Sequence, residues 1–356
     1  MPNADQTALQ PNARLQMRDL IAGQFVSRAN YVAAQLDIAT LLAQGPKTCA
    51  DLADLTQTHP DTLYRLLRAL ASYGVFSEDD QGRFSNTEKS ALLRSDIVGS
   101  MRPMALFLCD DMVETPWRSL RQSVATGEPA FERVFGMPTF DYMAAHPDKA
   151  KIFDEAMVSI SGMMNAAVAE AYDFSSFGTM VDVAGGYGST LCTILKANPA
   201  LRGTLFDMPH VIDGARQYIT EQGVADRCTS VAGDFLQAVP EGADAYFMKH
   251  IIHDWDDERC IKILRNCHQA MGSNGKLLVC ERVVPAGNAQ SYSKLGDLQM
   301  LMMTSGGRER TETQYRALFE AAGFKLTRFV PTKAENSVIE GQKRLLTTVI
   351  MSNYIT

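Results

Sequence analysis

At 356 residues the chain is long enough for two domains and a large buried core. Its hydrophobic share of 46%, charged share of 21% and formal net charge of −7 describe an ordinary globular protein, and they argue against bulk nucleic-acid binding, which selects a basic surface. No apolar run reaches the roughly 20 residues that a membrane span needs, and residues 1–18 lack the apolar centre of a signal peptide. A cytoplasmic protein with neither membrane nor nucleic-acid partner is therefore expected. The seven cysteines are odd in number, scattered and free of any CxxC pair, so they read as buried thiols. Cys267-His268 has no second cluster to complete a zinc site, and no metal is expected.

From the N-terminus to about residue 175 the chain reads almost wholly helical. Thr48 to Leu55 suggests a short helix with a polar start. Pro60 and Asp61 open another, in which Leu63, Leu66, Leu67 and Leu70 fall on one face. Val75-Phe76 and Arg83-Phe84 then flank a turn from Glu78 to Gln81. Helix, helix, hairpin is the order of a winged helix. That order allows DNA binding, but the second helix has only Arg65 and Arg68 beside Asp61, which favours a scaffold or dimerisation module. Residues 100–170 are helical and rich in Met and aromatic side chains, among them Met143, Phe153 and Met157. Such a wall suits either ordinary core or a pocket for a flat apolar ligand.

Beyond residue 175 short apolar strands alternate with helical stretches, the pattern of a parallel α/β sheet. Thr179 to Val183 reads as a buried strand running into Ala184-Gly185-Gly186-Tyr187-Gly188, with a helix from Ser189 to Ala197. Glycines there let a ligand approach the backbone. The third glycine of a dinucleotide fingerprint is missing, so the loop alone is a weak signal. Gly203 to Phe206 is a second strand, ending at Asp207, nineteen positions after Gly188. Thr229 to Ala232 leads to Gly233-Asp234-Phe235, and Ala245 to Met248 leads to Lys249-His250. An acid for the ribose, then an acid with an aromatic for the adenine, each at a successive strand end, describes an adenosine site without a pyrophosphate. That favours S-adenosylmethionine over NAD.

His253-Asp254 follows the fourth strand. Methyl transfer to a hydroxyl needs the acceptor aligned and its proton removed, and histidine is the usual group for that near neutrality. Glu281, at the end of a strand from Lys276 to Cys280, and Glu309, before a helix with Tyr315, Leu318, Phe319 and Ala322 on one face, are candidates to orient the imidazole. Each acid has a plainer reading, Glu281 as a structural acid and Glu309 as a helix-start acid paired with Arg308 or Arg310. His250 is expected to pack beside the cofactor.

The segments VDVAGGYGST, LFDMP, GDF, MKHIIHDWDDERC, LLVCERVVP and GGRERTETQYRALFEAAGF resemble those of the plant caffeate- and flavonoid-type O-methyltransferases and their bacterial relatives acting on aromatic polyketides, phenazines and carotenoids. The resemblance spans nearly the whole chain, including GMPTFDYMAAHPDKAKIFDEAM. It implies a C-terminal Rossmann-like methyltransferase domain, a mostly parallel sheet with helices on both faces, plus an N-terminal winged-helix-like dimerisation domain. The expected division is 1–110, a helical pocket segment 111–174, and 175–356. By the same resemblance, Gly185, Asp207, Asp234, Phe235 and Lys249 fall on cofactor positions, His253 on the general base, and Glu281 and Glu309 on its flanking acids. Met143, Phe153, Met157 and Met302 fall on acceptor-pocket positions. Asp254, beside His253, is a further candidate at the acceptor. A homodimer whose N-terminal domains interlock is implied as well.

Ala184 replaces a first glycine usual in plant members, His250 a frequent Trp, and Thr304-Ser305 a frequent Asn-Pro. The first two barely affect the fold; Thr304-Ser305, with Met143 in the pocket, points away from the plant substrates to a bacterial secondary-metabolite phenol, polyketide or phenazine as the acceptor. Two other readings are a family member running hydroxylation or a pericyclic step, and a winged-helix regulator with a ligand-sensing domain.

Overall fold

The computed structural model of the protein describes residues 11–344; residues 1–10, part of the N-terminal stretch read above, and 345–356 lie outside them. The described chain forms two units. One runs up to Glu114 and adds His146–Ile160; the other holds Thr115–Ala145 and everything from Ser161 onward. Residues 111–174 are thus shared between the units.

In the first unit, Thr48 caps the helix Cys49–Thr56 through a reciprocal capping box with Asp51. Pro60 opens the helix Pro60–Ser72, where its missing N–H costs nothing. Leu63, Leu67 and Leu70 of that helix are buried against Ile38, Leu52, Phe76 and Phe84. Three short strands, β1 (Lys47–Thr48), β2 (Phe76–Glu78) and β3 (Arg83–Asn86), pair antiparallel in the order β1-β3-β2. The Asp79 carboxylate accepts the N–H groups of Gln81 and Arg83, both at 2.9 Å, and so closes the hairpin turn.

In the second unit, β4 (Thr179–Val183), β5 (Arg202–Asp207), β6 (Cys228–Ala232), β7 (Ala245–Lys249), β8 (Lys276–Val284), β9 (Arg310–Thr311), β10 (Phe324–Pro331) and β11 (Asn336–Lys343) form a sheet. Its order is β10-β11-β8-β7-β4-β5-β6, with β9 beside β8. Strands β4 to β9 pair in parallel, and β10 and β11 antiparallel. This is the expected mostly parallel sheet with helices on both faces, beside the expected helical, winged-helix-like unit. The antiparallel hairpin β10–β11 was not anticipated. Strand β8 also runs past Cys280 to Val284, because β11 and β9 pair with its far end; Glu281 lies inside it rather than at its end.

The strand period of two sorts side chains between two cores. Tyr246, Met248, Leu277 and Val279 face the helices Asp257–Ala270 and Glu312–Ala321. Ala245, Phe247, Leu278 and Cys280 face Ser189–Ala197, Pro209–Glu221 and the end of Pro147–Ala171. Asp182 follows the second parity and Glu281 the first. The chain crosses from β6 back over β4 to β7, so the carboxyl ends of β4 and β7 flank the switch point where ligands bind in such sheets. No helix among the described residues is long and apolar enough to cross a membrane.

Phe319 is fully buried in the first of these cores. Phe319→Ala is expected to lower the unfolding free energy of the sheet unit by about 3–5 kcal/mol. Urea unfolding followed by the fluorescence of Trp117 and Trp255, both in that unit, measures it. A loss under about 1 kcal/mol would contradict the packing described.

Candidate active site

The loop after β4 is shaped by close approach on one side and openness on the other. A Cβ at Gly185 would lie 2.6 Å from Leu205 Cδ1 and from Asp182 Cγ, whereas a Cβ at Gly186 would meet nothing within 4 Å. Only glycine fits at 185, and the open side at 186 leaves room for a ligand. Ala184 takes the left-handed conformation, φ +57°, although it carries a Cβ. Asp207, at the end of β5, accepts the N–H of Gly186 at 2.8 Å on one oxygen and that of Met208 at 2.7 Å on the other. Two acceptor sites on its carboxylate remain for ribose hydroxyls. Burial raises its pKa, opposed by those two N–H groups.

Asp234 and Phe235 follow β6, which is tied to β5 through Gly233 N–H and Asp207 O at 2.9 Å. Asp234 accepts the N–H of Leu236 at 2.8 Å, and Phe235 meets Trp255 edge to face at 5.9 Å. Lys249 ends β7, and its Nζ donates to Ser161 Oγ and Asn165 Oδ1, each at 3.1 Å. Asn165 also meets Ser189 and Thr190, which start the helix after the glycine loop. Asp182 lies fully enclosed beneath that loop, and its Oδ2 has no hydrogen-bond partner among the described residues. Burial pushes its pKa up to about 7, with the charge of Lys249 opposing and that of Asp207 adding. This donor set fits S-adenosylmethionine: an acid for the ribose, an acid and a ring for the adenine, and a polar row beside the loop for the amino-acid end.

His253 sits in a 3-10 turn, Ile252–Asp254, just after β7. Two buried charges grip that turn. Glu281 Oε1 accepts the N–H groups of Ile251 and Ile252 at 2.9 Å and that of His253 at 3.4 Å. Arg310 donates to Ile252 O at 2.7 Å and Trp255 O at 2.9 Å, and pairs with Asp257 at 2.8 Å. The loop before β9 lies against the turn. A Cβ at Gly307 would come within 2.9 Å of the Asp254 carbonyl carbon and closer still to His253 O and Thr304 Oγ1, so this position too requires glycine.

The His253 ring faces three acids. Its Nδ1 is 3.3 Å from Glu281 Oε2 and 3.5 Å from Glu309 Oε1; its Nε2 is 3.6 Å from Asp254 Oδ1. These are ion-pair spacings, longer than closed hydrogen bonds. Such bonds commonly tighten only when a substrate is in place. Burial alone would lower the His253 pKa, but Glu281, Asp254 and Glu309 outweigh it and raise it to about 10. The two glutamates are not equivalent. Burial raises Glu281, whereas His253 and Arg282, whose Nη1 is 3.1 Å from Glu309 Oε1, overcome burial and lower Glu309. Donor atoms of His253, Glu281 and Glu309 lie within 4.8 Å of one another, a spacing that a divalent cation would also accept. Here Arg282 already supplies a cation on Glu309, and Glu281 commits one oxygen to the backbone, so the cluster is suited to hold a proton.

The expected residues Gly185, Asp207, Asp234, Phe235, Lys249, His253, Asp254 and Glu281 all stand at one edge of the sheet, with Glu309 brought there by its loop. Glu309 pairs with Arg282 rather than with Arg308 or Arg310. Met143 and Met302 are buried in the same unit; their helices, Thr139–Ala145 and Tyr292–Met303, are joined by the Thr139 hydroxyl donating to Met303 O. Phe153 and Met157 lie on the part of Pro147–Ala171 that belongs to the N-terminal unit, where Phe153 packs edge to face on Phe107 at 5.5 Å. Ser161, Asn165, Asp182, Arg282 and Asn336 escape the sequence reading, and Arg310 enters it only as a possible partner of Glu309. Asp182 carried a signal, a charge inside an apolar strand; the others act through partners remote in sequence.

The sequence profile of the O-methyltransferase domain family matches residues 117–325, and that of the O-methyltransferase dimerisation domain matches residues 18–96. The phenazine O-methyltransferase PhzM of Lysobacter antibioticus is 43% identical over 323 residues, covering 91% of this chain and 94% of its own. The mitomycin biosynthesis 6-O-methyltransferase of Streptomyces lavendulae is 38% identical over 336 residues, covering 94% and 95%. Among solved structures, CalO1, a methyltransferase of calicheamicin biosynthesis in its S-adenosylhomocysteine-bound form, superposes with a TM-score of 0.85 at 36% identity, covering 94% of this chain and 99% of that one. The profile spanning more than half of the chain, together with these relatives, fixes the assignment: the chain belongs to the S-adenosylmethionine-dependent O-methyltransferases.

Proposed function

We propose that this enzyme methylates a phenolic hydroxyl on a small aromatic secondary metabolite, with His253 as the general base. The observation that carries this reading is the His253 imidazole enclosed by Glu281, Glu309 and Asp254. S-adenosylmethionine, when bound, supplies the methyl carbon on a sulfonium and leaves as the neutral thioether. The chain's residues do the rest. Asp207, Asp234, Phe235, Lys249 and the backbone at Gly185 bind and orient the cofactor. His253 Nε2, the nitrogen turned away from the two glutamates, takes the acceptor's proton as the oxygen–carbon bond forms. Glu281 and Glu309 hold Nδ1 and stabilise the imidazolium.

Matched proton affinities favour a phenol. A phenolic hydroxyl has a pKa of about 10, close to the value of about 10 to which the acids raise His253. Proton transfer between them is nearly balanced, and only the neutral fraction of His253 can accept the proton, so turnover depends on pH. Met143 and Met302, soft side chains buried in the sheet unit, are the proposed walls for an aromatic ring, and Asp254 the polar contact beside its hydroxyl.

The same proposal includes a homodimer. Leu20 and Phe25 of the helix Pro11–Gln35 are 76% and 69% exposed, with Ile21 beside them. This apolar surface coincides with the segment matched by the dimerisation family, and a second copy covering it accounts for its exposure.

A deuterated methyl group from labelled S-adenosylmethionine is expected on the oxygen of a phenolic acceptor, one for each S-adenosylhomocysteine released, with EDTA present throughout. Mass spectrometry reads this; label on nitrogen, or no label transferred, would overturn the reading. His253→Ala is expected to lower kcat by about 10²- to 10⁴-fold while cofactor affinity, measured by calorimetry, stays within about threefold. Turnover near the parent level would remove His253 as the base. Because a raised pKa keeps His253 protonated at neutrality, kcat rises with pH. In Glu309→Gln a charge that raises the His253 pKa is gone, so the rising limb shifts to lower pH; an unmoved limb would contradict the electrostatics given.

A further inference from the structure

β7 hands the chain to a residue that the reaction as described leaves unused. His250 takes φ +57°, a left-handed backbone that is strained for a residue with a Cβ. Its N–H is held by Cys280 O at 3.2 Å. In this conformation its ring lies face to face with that of His253, centroids 5.2 Å apart and planes 18° apart. On the other side of the ring system, His250 Nε2 is 2.8 Å from Asn336 Nδ2.

That contact ties the tautomer of His250 to the orientation of the Asn336 amide. Asn336 opens β11 and is 1% exposed. Its amide nitrogen also faces Met164 Sδ at 3.6 Å, an acceptor with no proton to give, which favours this end as the NH₂ group; it is 4.0 Å from Cys280 Sγ, and the amide oxygen is buried without a partner among the described residues. An amide N–H can only donate, so His250 Nε2 must offer a lone pair. His250 is then neutral, with its proton on Nδ1. Burial, and after it the positive charges of His253, Lys249 and Arg282, favour the neutral form and outweigh the Asn336 hydrogen bond, which acts the other way.

We propose that His250 and Asn336 are a positioning pair for the base: Asn336 fixes His250 as an Nδ1–H imidazole, and this neutral ring, stacked on His253, holds the His253 plane so that Nδ1 stays on Glu281 and Glu309 while Nε2 stays turned to the acceptor. The role of the stack rests on the reading of His253 as base. A neutral aromatic face also tolerates the imidazolium that forms as His253 takes the proton. A charged ring in the same place would repel it.

The tautomer is tested first, by long-range proton–nitrogen NMR on the full chain labelled with ¹⁵N-histidine. His250, assigned by its loss in His250→Phe, is expected as a neutral Nδ1–H imidazole that does not titrate between about pH 6 and 9. In Asn336→Leu it is expected to shift its proton to Nε2 or to begin titrating. An Nε2–H or protonated His250 in the parent protein overturns the pairing, whatever His253 does.

Kinetics tests the stack. His250→Ala is expected to lower kcat about 10- to 100-fold with cofactor affinity and Tm little changed. His250→Phe keeps a flat ring without an ionisable nitrogen and is expected to stay within about fivefold of the parent. A Phe variant as slow as the Ala variant would mean that the nitrogens, not the stacked face, are needed. Parent-level turnover in both would mean that neither is. Either result overturns the positioning role. Full activity in His253→Ala would instead overturn the base reading and the stack's role with it, leaving the tautomer result untouched.

Discussion

The turn from Ile251 to Trp255 hangs between two buried charges, and the site depends on that suspension. Glu281 collects the N–H groups of the turn and Arg310 collects its carbonyls. Both side chains are nearly or completely buried. A buried charge is costly unless it is hydrogen-bonded or paired, and here the backbone of the base-bearing turn supplies those bonds. The arrangement fixes the turn that carries His253, the proposed base, whose displacement would cost it the geometry to the acceptor. It also explains why the neighbouring loop needs Gly307, since no side chain can stand between that loop and His253 O.

From this suspension follows the asymmetry of the acids. Glu281 has one oxygen on the backbone and one facing His253; Glu309 has one oxygen shared between His253 and Arg282. The two glutamates, 3.3 and 3.5 Å from the same ring nitrogen, are pushed in opposite directions: burial raises Glu281, whereas His253 and the Arg282 guanidinium lower Glu309. Environments that separate the proton affinities of neighbouring groups are characteristic of acid–base chemistry. On the cofactor side the logic differs. Asp207, Lys249 and Asn165 use part of their capacity to tie strand ends and the glycine loop together, so the cradle proposed for the cofactor is preorganised by its own polar groups.

Much of the fold was legible in the residues. Thr179 to Val183 and Ser189 to Ala197 are read with the bounds they have, because buried parallel strands are largely apolar runs, this one broken after its first residue only by Asp182, and the glycine loop marks the turn. The acids Asp207 and Asp234 were legible because each stands at the end of such a run. Where β8 ends was not, since its last residues are held by β9 and β11, which arrive from far along the chain. The hairpin β10–β11 was missed for a related reason: strands such as Asn336–Lys343 carry charged and polar residues that blur the period. Arg310 reads in the sequence only as a possible partner of Glu309, and Arg282 carries no signal there. Their partners, Glu309 and the Ile252 and Trp255 carbonyls, are chosen by tertiary geometry that no local pattern records.

The central claim is that His253, Glu281 and Glu309 act as one proton-holding unit. A double-mutant cycle tests it most directly, with kcat measured for Glu281→Gln, Glu309→Gln and the combined variant. Groups that work as a unit lose function non-additively. The account predicts that the combined loss falls well short of the product of the two single losses. Losses that simply multiply would show two independent acids and contradict it.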